Sequence, residues 1–342
     1  MDGSGNTVWK ETYEVHELNY DTGVSVQKLH DGGFVILGRT TRDDSTHAVV
    51  IRTNENGKQK GIIRHPLMTV WDIKQTSDDG FILTGQRSES VILYKIDKNV
   101  MFEWEKTYDI KGYNDRGEGV FQTDDEGYLV YCLGGTKEFC SWDIHLLKTD
   151  INGNLENEII IGDEEYADIP QSITQTTDGG YIIGAERYIN GRTVGLLIKL
   201  DSELNTEFAK TFESFSNVGH VEQTSDGGYI IAGQVEEETN SVFQYYDVLV
   251  IKTDSNGFID WQKTYTNDLR SYDSAFSIHQ TSDNGFIIGA QSRKDVQNNY
   301  DIMLIRTNIK GDISKSRLYS NDIYYHLKVL LDKFPIFQFL LK

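Results

Sequence analysis

Cysteine, proline and positive charge are all scarce in this chain of 342 residues, and each scarcity excludes something. Cys132 and Cys140 are the only cysteines, so a disulfide framework is ruled out; their separation leaves one local hairpin bridge open. No run approaches the ~20 apolar residues that a membrane-spanning helix needs, so no transmembrane segment is expected. Met1-Asp2-Gly3-Ser4-Gly5 is polar and leads straight into a strand pattern, which is not a signal peptide. With 33 basic against 53 acidic side chains the formal charge is −20, a surface that repels a phosphate backbone. Nucleic-acid binding is therefore not expected. Gly-x-Ser-x-Gly elbows, His-Glu-x-x-His pairs and Cys/His clusters are missing, so catalysis has no direct signature.

What is present is repetition. The tract Gln-Thr-Ser-Asp-Gly-Gly-Tyr-Ile-Ile-Ala-Gly at 223–233 recurs, with its second glycine at Gly33, Gly80, Gly127, Gly180, Gly228 and Gly285. An aromatic residue follows that glycine each time, and an aspartate precedes it by two: Asp31, Asp78, Asp125, Asp178, Asp226 and Asp283. Downstream, a basic residue stands two before an Asp or Asn, as in Arg52/Asn54, Lys95/Asp97, Lys148/Asp150, Lys199/Asp201, Lys252/Asp254 and Arg306/Asn308. A third anchor is aromatic, at Trp9, Trp104, Phe208 and Trp261, and is missing at Gly61, Asn157 and Lys315. Each unit reads as four short strands with Asp-Gly-Gly and Asp-x-Asn-Gly turns in its outer hairpins.

Four-stranded units at this period predict an all-β fold, a β-propeller of six blades over residues 1–317. Residues 4–13 match a fourth strand without the preceding three, and are expected to complete the sixth blade and latch the array, which removes strand edges. A seven-bladed propeller, or a fragment of a longer array, is the alternative. Residues 318–342 break the pattern. Ile323, Leu327, Leu330, Leu331 and Phe334 follow helical spacing, so a helical tail is expected to pack on the propeller or mediate self-association.

The pattern S-I-x-Q-T-x-D-G-G-Y-I-x-x-G, then D-x-x-x-x-K-T-D-x-N-G, then W-x-K-T-Y resembles kelch-like propeller repeats of bacterial and archaeal surface proteins and lipoproteins. The resemblance covers roughly residues 4–317 and implies the fold and an extracellular or cell-surface location. It carries no agreed function.

Most repeated residues read as scaffold. The Asp-x-Asn-Gly turns suggest a Ca²⁺ loop but lack its distal Glu, so turn mechanics explains them better and no cofactor is expected. Thr76-Ser-Asp78-Asp-Gly80-Phe81 resembles the Asp-box turn of sialidase propellers, which is structural there too. The basic residue occurs once per blade and should pair within it.

Seven residues before the repeat Gln position stands an aspartate in four units: Asp21, Asp115, Asp168 and Asp273. At the entry to the innermost strand these carboxylates should lie around one mouth of a central channel, either as a cation or polar-ligand site or as caps on backbone amides. Long, dissimilar loops are expected at that end: 39–48, 186–195, 234–246, 291–300, and crossovers 109–117, 162–169 and 266–274. Tyr166, Tyr188, Tyr245, Tyr246, Arg270 and Tyr272 suit it to sugars or proteins. The expected function is a non-catalytic recognition module for a protein or glycan. The alternative is a carbohydrate-active enzyme, a glycoside hydrolase or lyase, using carboxylates at the channel mouth.

Overall fold

The computed structural model describes residues 9, 11–13, 20–42, 45–65, 68–110, 115–135, 142–162, 165–237, 244–266, 271–293 and 301–319. Among these there are strands, turns and bends and no helix. Of the tail expected to be helical, residues 318 and 319 end the last strand, and 320–342 lie outside the described residues.

The chain divides into two compact units, one up to Glu165 and one from Tyr166, each with three antiparallel sheets of four consecutive strands. The first unit holds β1 (Tyr20–Lys28), β2 (Phe34–Arg42), β3 (Ser45–Thr53) and β4 (Gln59–His65) as its first blade. Its second blade is β5 (Thr69–Gln75), β6 (Phe81–Arg87), β7 (Ser90–Ile96) and β8 (Phe102–Tyr108). The third is β9 (Arg116–Gln122), β10 (Tyr128–Gly135), β11 (Trp142–Thr149) and β12 (Leu155–Ile161). The second unit begins with β13 (Ala167–Gln175), β14 (Tyr181–Ile189), β15 (Arg192–Leu200) and β16 (Thr206–Phe212). Then follow β17 (Asn217–Gln223), β18 (Tyr229–Glu236), β19 (Tyr246–Thr253) and β20 (Ile259–Tyr265). The last blade is β21 (Ser274–Gln280), β22 (Phe286–Ser292), β23 (Asp301–Thr307) and β24 (Ile313–Tyr319). Six four-stranded antiparallel blades make this a six-bladed β-propeller fold.

The two middle strands of a blade are buried on both faces, as in Ser90–Ile96 of β7, while fourth strands such as β20 alternate towards solvent. Within each unit the first strand of one blade packs on the first strand of the next, β1 on β5 on β9 and β13 on β17 on β21.

The repeated polar residues build the turns. In each blade the turn aspartate accepts the N–H of the second glycine, for example Gly80 on Asp78 at 2.9 Å and Gly180 on Asp178 at 3.0 Å. Its other oxygen meets the basic residue of the same blade in all six copies, from Arg52–Asp31 at 2.6 Å to Lys252–Asp226 at 3.0 Å. Pairing within the blade is thus the role of that cation. The Lys148 ammonium, with Thr123 and the Gly127 N–H, holds the Asp125 carboxyl down at about 2. In the second kind of turn, Asp150 Oδ1 accepts the N–H of Asn152 and Asn154 at 2.8 and 2.7 Å, and all six copies repeat that pattern. In each such turn, one side-chain oxygen of the first residue is thus engaged by two backbone amides.

The repeat Gln has a tertiary role. Gln122 Oε1 accepts Ser77 N–H of the preceding blade at 2.7 Å, and Gln223 and Gln280 do the same for Thr177 and Ser225. The aromatic anchor likewise reaches across. Trp104 lies over Gly153 and 5.8 Å from Tyr128 of the next blade, and the Tyr108 hydroxyl donates to Gly153 O at 2.6 Å. Trp261 and Tyr265 treat Gly311 the same way.

Most of the expected latch at 4–13 lies outside the described residues. The sixth blade has its own fourth strand, β24, paired with β23. Trp9 packs over Gly57 of the first blade, 5.7 Å from Phe34, with the Tyr13 hydroxyl donating to Gly57 O, the contact that Trp104 and Tyr108 make with Gly153.

At Gly61, one of the positions where the anchor is missing, the contact is exchanged rather than lost. Gly61 takes the aromatic position in β4, and Val100 replaces the turn glycine of the next blade, at φ 58°. A Cβ on Gly61 would lie 2.7 Å from Val100 Cγ2, so the large and small partners have changed sides. Gly61→Trp alone is expected to destabilise by about 1–3 kcal/mol through overpacking. Val100→Gly should recover much of that loss. A melting-temperature cycle on the two single variants and the double checks this, and simple additivity would count against it.

Candidate functional site

The Asp-Gly-Gly and Asp-x-Asn-Gly turns of each unit lie at one end of its strands, and the β2–β3-type connections and crossovers lie at the other. Two expected long loops are strand instead. β2 runs to Arg42 and β3 begins at Ser45, and β14 and β15 pair as far as Ile189↔Arg192. Asn190 and Gly191, at φ 50° and 84°, close the latter hairpin in two residues, a turn whose twist matches that of the strands. Asn-Gly is a hairpin signal, and the dissimilarity of this segment from its counterparts hid it. Residues 238–243 and 294–300 lie outside the described set, as do 111–114, 163–164 and 267–270 of the crossovers. Arg270 is among them.

The aspartates at the loop end differ from one another. Asp21 pairs with Thr40 in the β1–β2 ladder. Asp115 is fully buried and its Oδ2 accepts Ile110 N–H at 3.0 Å, closing the crossover that enters β9. In the second unit Asp168 is also buried, held by the Arg187 guanidinium through Nε at 2.6 Å and Nη2 at 2.5 Å. That guanidinium lies 5.5 Å from the Tyr166 ring. Buried Asp273 accepts the Ser271 hydroxyl at 2.9 Å. Asp115 thus caps a backbone amide, whereas Asp168 is held by an arginine of β14 and Asp273 by a hydroxyl of its own blade entry.

Tyr245, Tyr246 and Tyr272 do come together. The crossover into the last blade is stitched to β19 and β22 by backbone bonds: Tyr246 N–H to Ser271 O at 3.0 Å, Asp273 N–H to Tyr246 O at 2.7 Å, and Tyr272 N–H to Arg293 O at 2.8 Å. Tyr272 consequently has Tyr245 at 5.6 Å, Tyr246 at 6.2 Å and the Arg293 guanidinium at 4.6 Å from its ring. Tyr188 stands elsewhere on the unit, more than half exposed at the end of β14.

One feature of this end carries no signal in the repeat pattern. Every first strand has a β-bulge at the same place, leaving Val24, Trp71, Glu118, Gln171, Gly219 and Phe276 without a ladder partner. Bulges re-aim side chains, and here the backbone feature repeats six times while its residue never does. In the first unit the bulge layer gathers Arg39, Trp71, Arg116 and Glu118. In the second, Gln171 Nε2 donates to Glu186 Oε1 at 3.0 Å, and Asn217 Nδ2 donates to the same oxygen.

Burial pushes the Glu186 carboxyl up to about 7, against the Val218 N–H that favours its ionised form. The folded protein therefore holds this proton between the ordinary glutamate value and about 7, where the unfolded chain has released it. Stability falls as pH rises through that window and levels off above it. Glu186→Gln should thus raise the melting temperature at pH 8 and leave it nearly unchanged at pH 4. A gain of equal size at both values would contradict this origin.

A groove between the fourth and fifth blades, lined by Asp178, Lys199, Glu207, Phe208, Tyr229 and Phe258 among others, lies towards the tight turns. Asp178, Lys199 and Tyr229 there are repeat residues, so the groove follows from blade packing. Among the described residues no group of three or more His, Cys, Asp or Glu is placed to hold a metal ion. Cys132 is a buried free thiol, and Cys140 lies outside the described residues.

No family model matches the chain, and no curated protein matches it. Solved structures do. The Dos1 propeller superposes with a TM-score of 0.58 at 12% identity, covering 88% of this chain and 71% of that one. Prolyl oligopeptidase B from Galerina marginata gives 0.50 at 12% identity, over 88% of this chain and 43% of the other. At such identities the likeness establishes the propeller fold alone.

Proposed function

We propose that this chain is a recognition module that binds a protein or a glycan through the loop end of its blades. The observation that carries the reading is the division of labour between the two ends. Repeated polar residues bond within the scaffold, whereas non-repeating aromatic and charged residues gather at the loop end. The patch of Tyr245, Tyr246, Tyr272 and Arg293 is held in place by backbone bonds and offers aromatic faces with a cation beside them. Such rigid, amphipathic rings suit a sugar face or a protein anchor. A glycosidase would need two carboxyl groups facing across a substrate. Here the buried aspartates described are engaged by an arginine, a hydroxyl or a backbone amide, and the partners described for Glu186 are two carboxamides and the Val218 N–H. Among the described residues no helix is long and apolar enough to cross a membrane.

A glycan array probed with the wild-type protein and with Tyr245→Ala/Tyr272→Ala tests the reading, alongside capture of labelled surface proteins. The double variant should lose at least about tenfold in affinity for whatever the wild type binds, two aromatic anchors being removed. A double variant that binds like the wild type would take the tyrosine patch out of consideration.

A further inference from the structure

The bulge layer of the first unit collects charge opposite in sign to that of the chain. Trp71 occupies the bulge of β5, with Arg39 Cζ 4.8 Å and Arg116 Cζ 5.7 Å from the centroid of its ring. Arg39 directs Nε and Nη2 at Val70 O, at 2.9 and 2.7 Å, which fixes the guanidinium beside the indole. Arg116 Nε donates to Glu118 Oε1 at 2.5 Å. Glu118 is the one carboxylate, among the described residues, within ion-pair distance of either guanidinium. Lys74, 3.7 Å from buried Asp72, adds a neutral pair alongside. Two cations thus share a single anion at the loop end of a chain of charge −20.

A guanidinium carries more N–H donors than these acceptors engage. Burial draws the Arg39 guanidinium below its usual value; Glu118 opposes this and Arg116 adds to it, so a second anion here would relieve a standing repulsion. None of the arrangement repeats. The counterparts of Arg39 are Gln86, Leu133, Glu186, Gln234 and Gln291, and that of Trp71 in the next blade is Glu118. Turn or blade mechanics would have repeated it.

We propose that Arg39, Trp71 and Arg116 form a binding site for a small ligand carrying a single carboxylate. The indole holds the guanidiniums in place, and their unengaged N–H groups receive the carboxylate oxygens. A single charge is specified because the net charge of the chain repels polyanions at long range, whereas close donors dominate for one carboxylate. This site and the tyrosine patch lie in different units, so either can fail without the other.

Sodium glucuronate is the probe, with its methyl ester and glucose as neutral controls, followed at low salt through the Trp71 indole N–H resonance, assigned with Trp71→Phe. Glucuronate should give a saturable shift that the ester and glucose do not. Arg116→Gln, whose side chain is 35% exposed, should keep the fold and weaken binding about tenfold or more, and Arg39→Gln should do the same. If Arg39→Gln does not fold, for want of its bond to Val70 O, the Arg116 variant decides. No shift with glucuronate, an equal shift with the ester, or unchanged affinity in Arg116→Gln would overturn the proposal.

Discussion

Asp168→Ala should cost about 3–5 kcal/mol of stability, because it leaves the Arg187 guanidinium without its buried partner. Asp168 has no exposed side-chain surface and meets Arg187 through two parallel N–H···O bonds of 2.6 and 2.5 Å. The remaining cation would stay half-enclosed beside the Tyr166 ring. Asp168→Ala/Arg187→Met should recover a large part of the loss, since a pair removed together leaves no orphaned charge. Denaturant unfolding of the two single variants and the double measures the coupling. A single variant that unfolds like the wild type but loses a ligand would show that this carboxylate is held for binding, not for the fold.

Gly228→Ala is expected to destabilise by about 3 kcal/mol, the upper end of overpacking costs. A Cβ there would lie 2.1 Å from Thr253 O, a backbone atom that cannot turn aside. Its neighbour makes an internal control. Gly227, at φ +83°, has nothing within 4 Å of the corresponding position. Gly227→Ala should therefore cost only the left-handed backbone preference, about 1 kcal/mol. For a unit of this size each kcal/mol shifts the melting temperature by roughly 2–4 °C, so the two variants should separate clearly in a thermal scan. Equal melting temperatures would refute the close-approach account of why the second glycine recurs in all six blades.

The anchors that repeat were legible for a physical reason. Asp150 bonds to Asn152 and Asn154, and Asp178 to Gly180, over two to four residues, so the sequence spacing carries the whole geometry. The Lys199–Asp178 pair spans one hairpin, whose length the repeat also records. Asn190-Gly191 was legible in principle; what concealed it was that the residues differ between blades, since Ser88-Glu89 closes the second blade's hairpin in the same two-residue way.

The loop end was read less well, because its contacts join distant residues that share no pattern. Arg39 with Trp71, Asn217 with Glu186, and Tyr245 with Tyr272 meet only after blades pack side by side. The equivalence of four aspartates at one repeat position suggested one role, yet Asp115 caps an amide, Asp168 pairs with an arginine and Asp273 accepts a hydroxyl.

Six blades, their strand order, their turns and their internal ion pairs were therefore determined by the sequence itself, since each rests on bonds short enough along the chain to recur with its period. Tertiary structure alone decided the Gln bridges between blades, the exchange of Gly61 with Val100, the bulge layer and the fate of each aspartate. The Gln bridges and the exchange of Gly61 with Val100 depend on which surfaces adjoin, because the partner lies in another blade, whereas the aspartates differ because the residues around each one do.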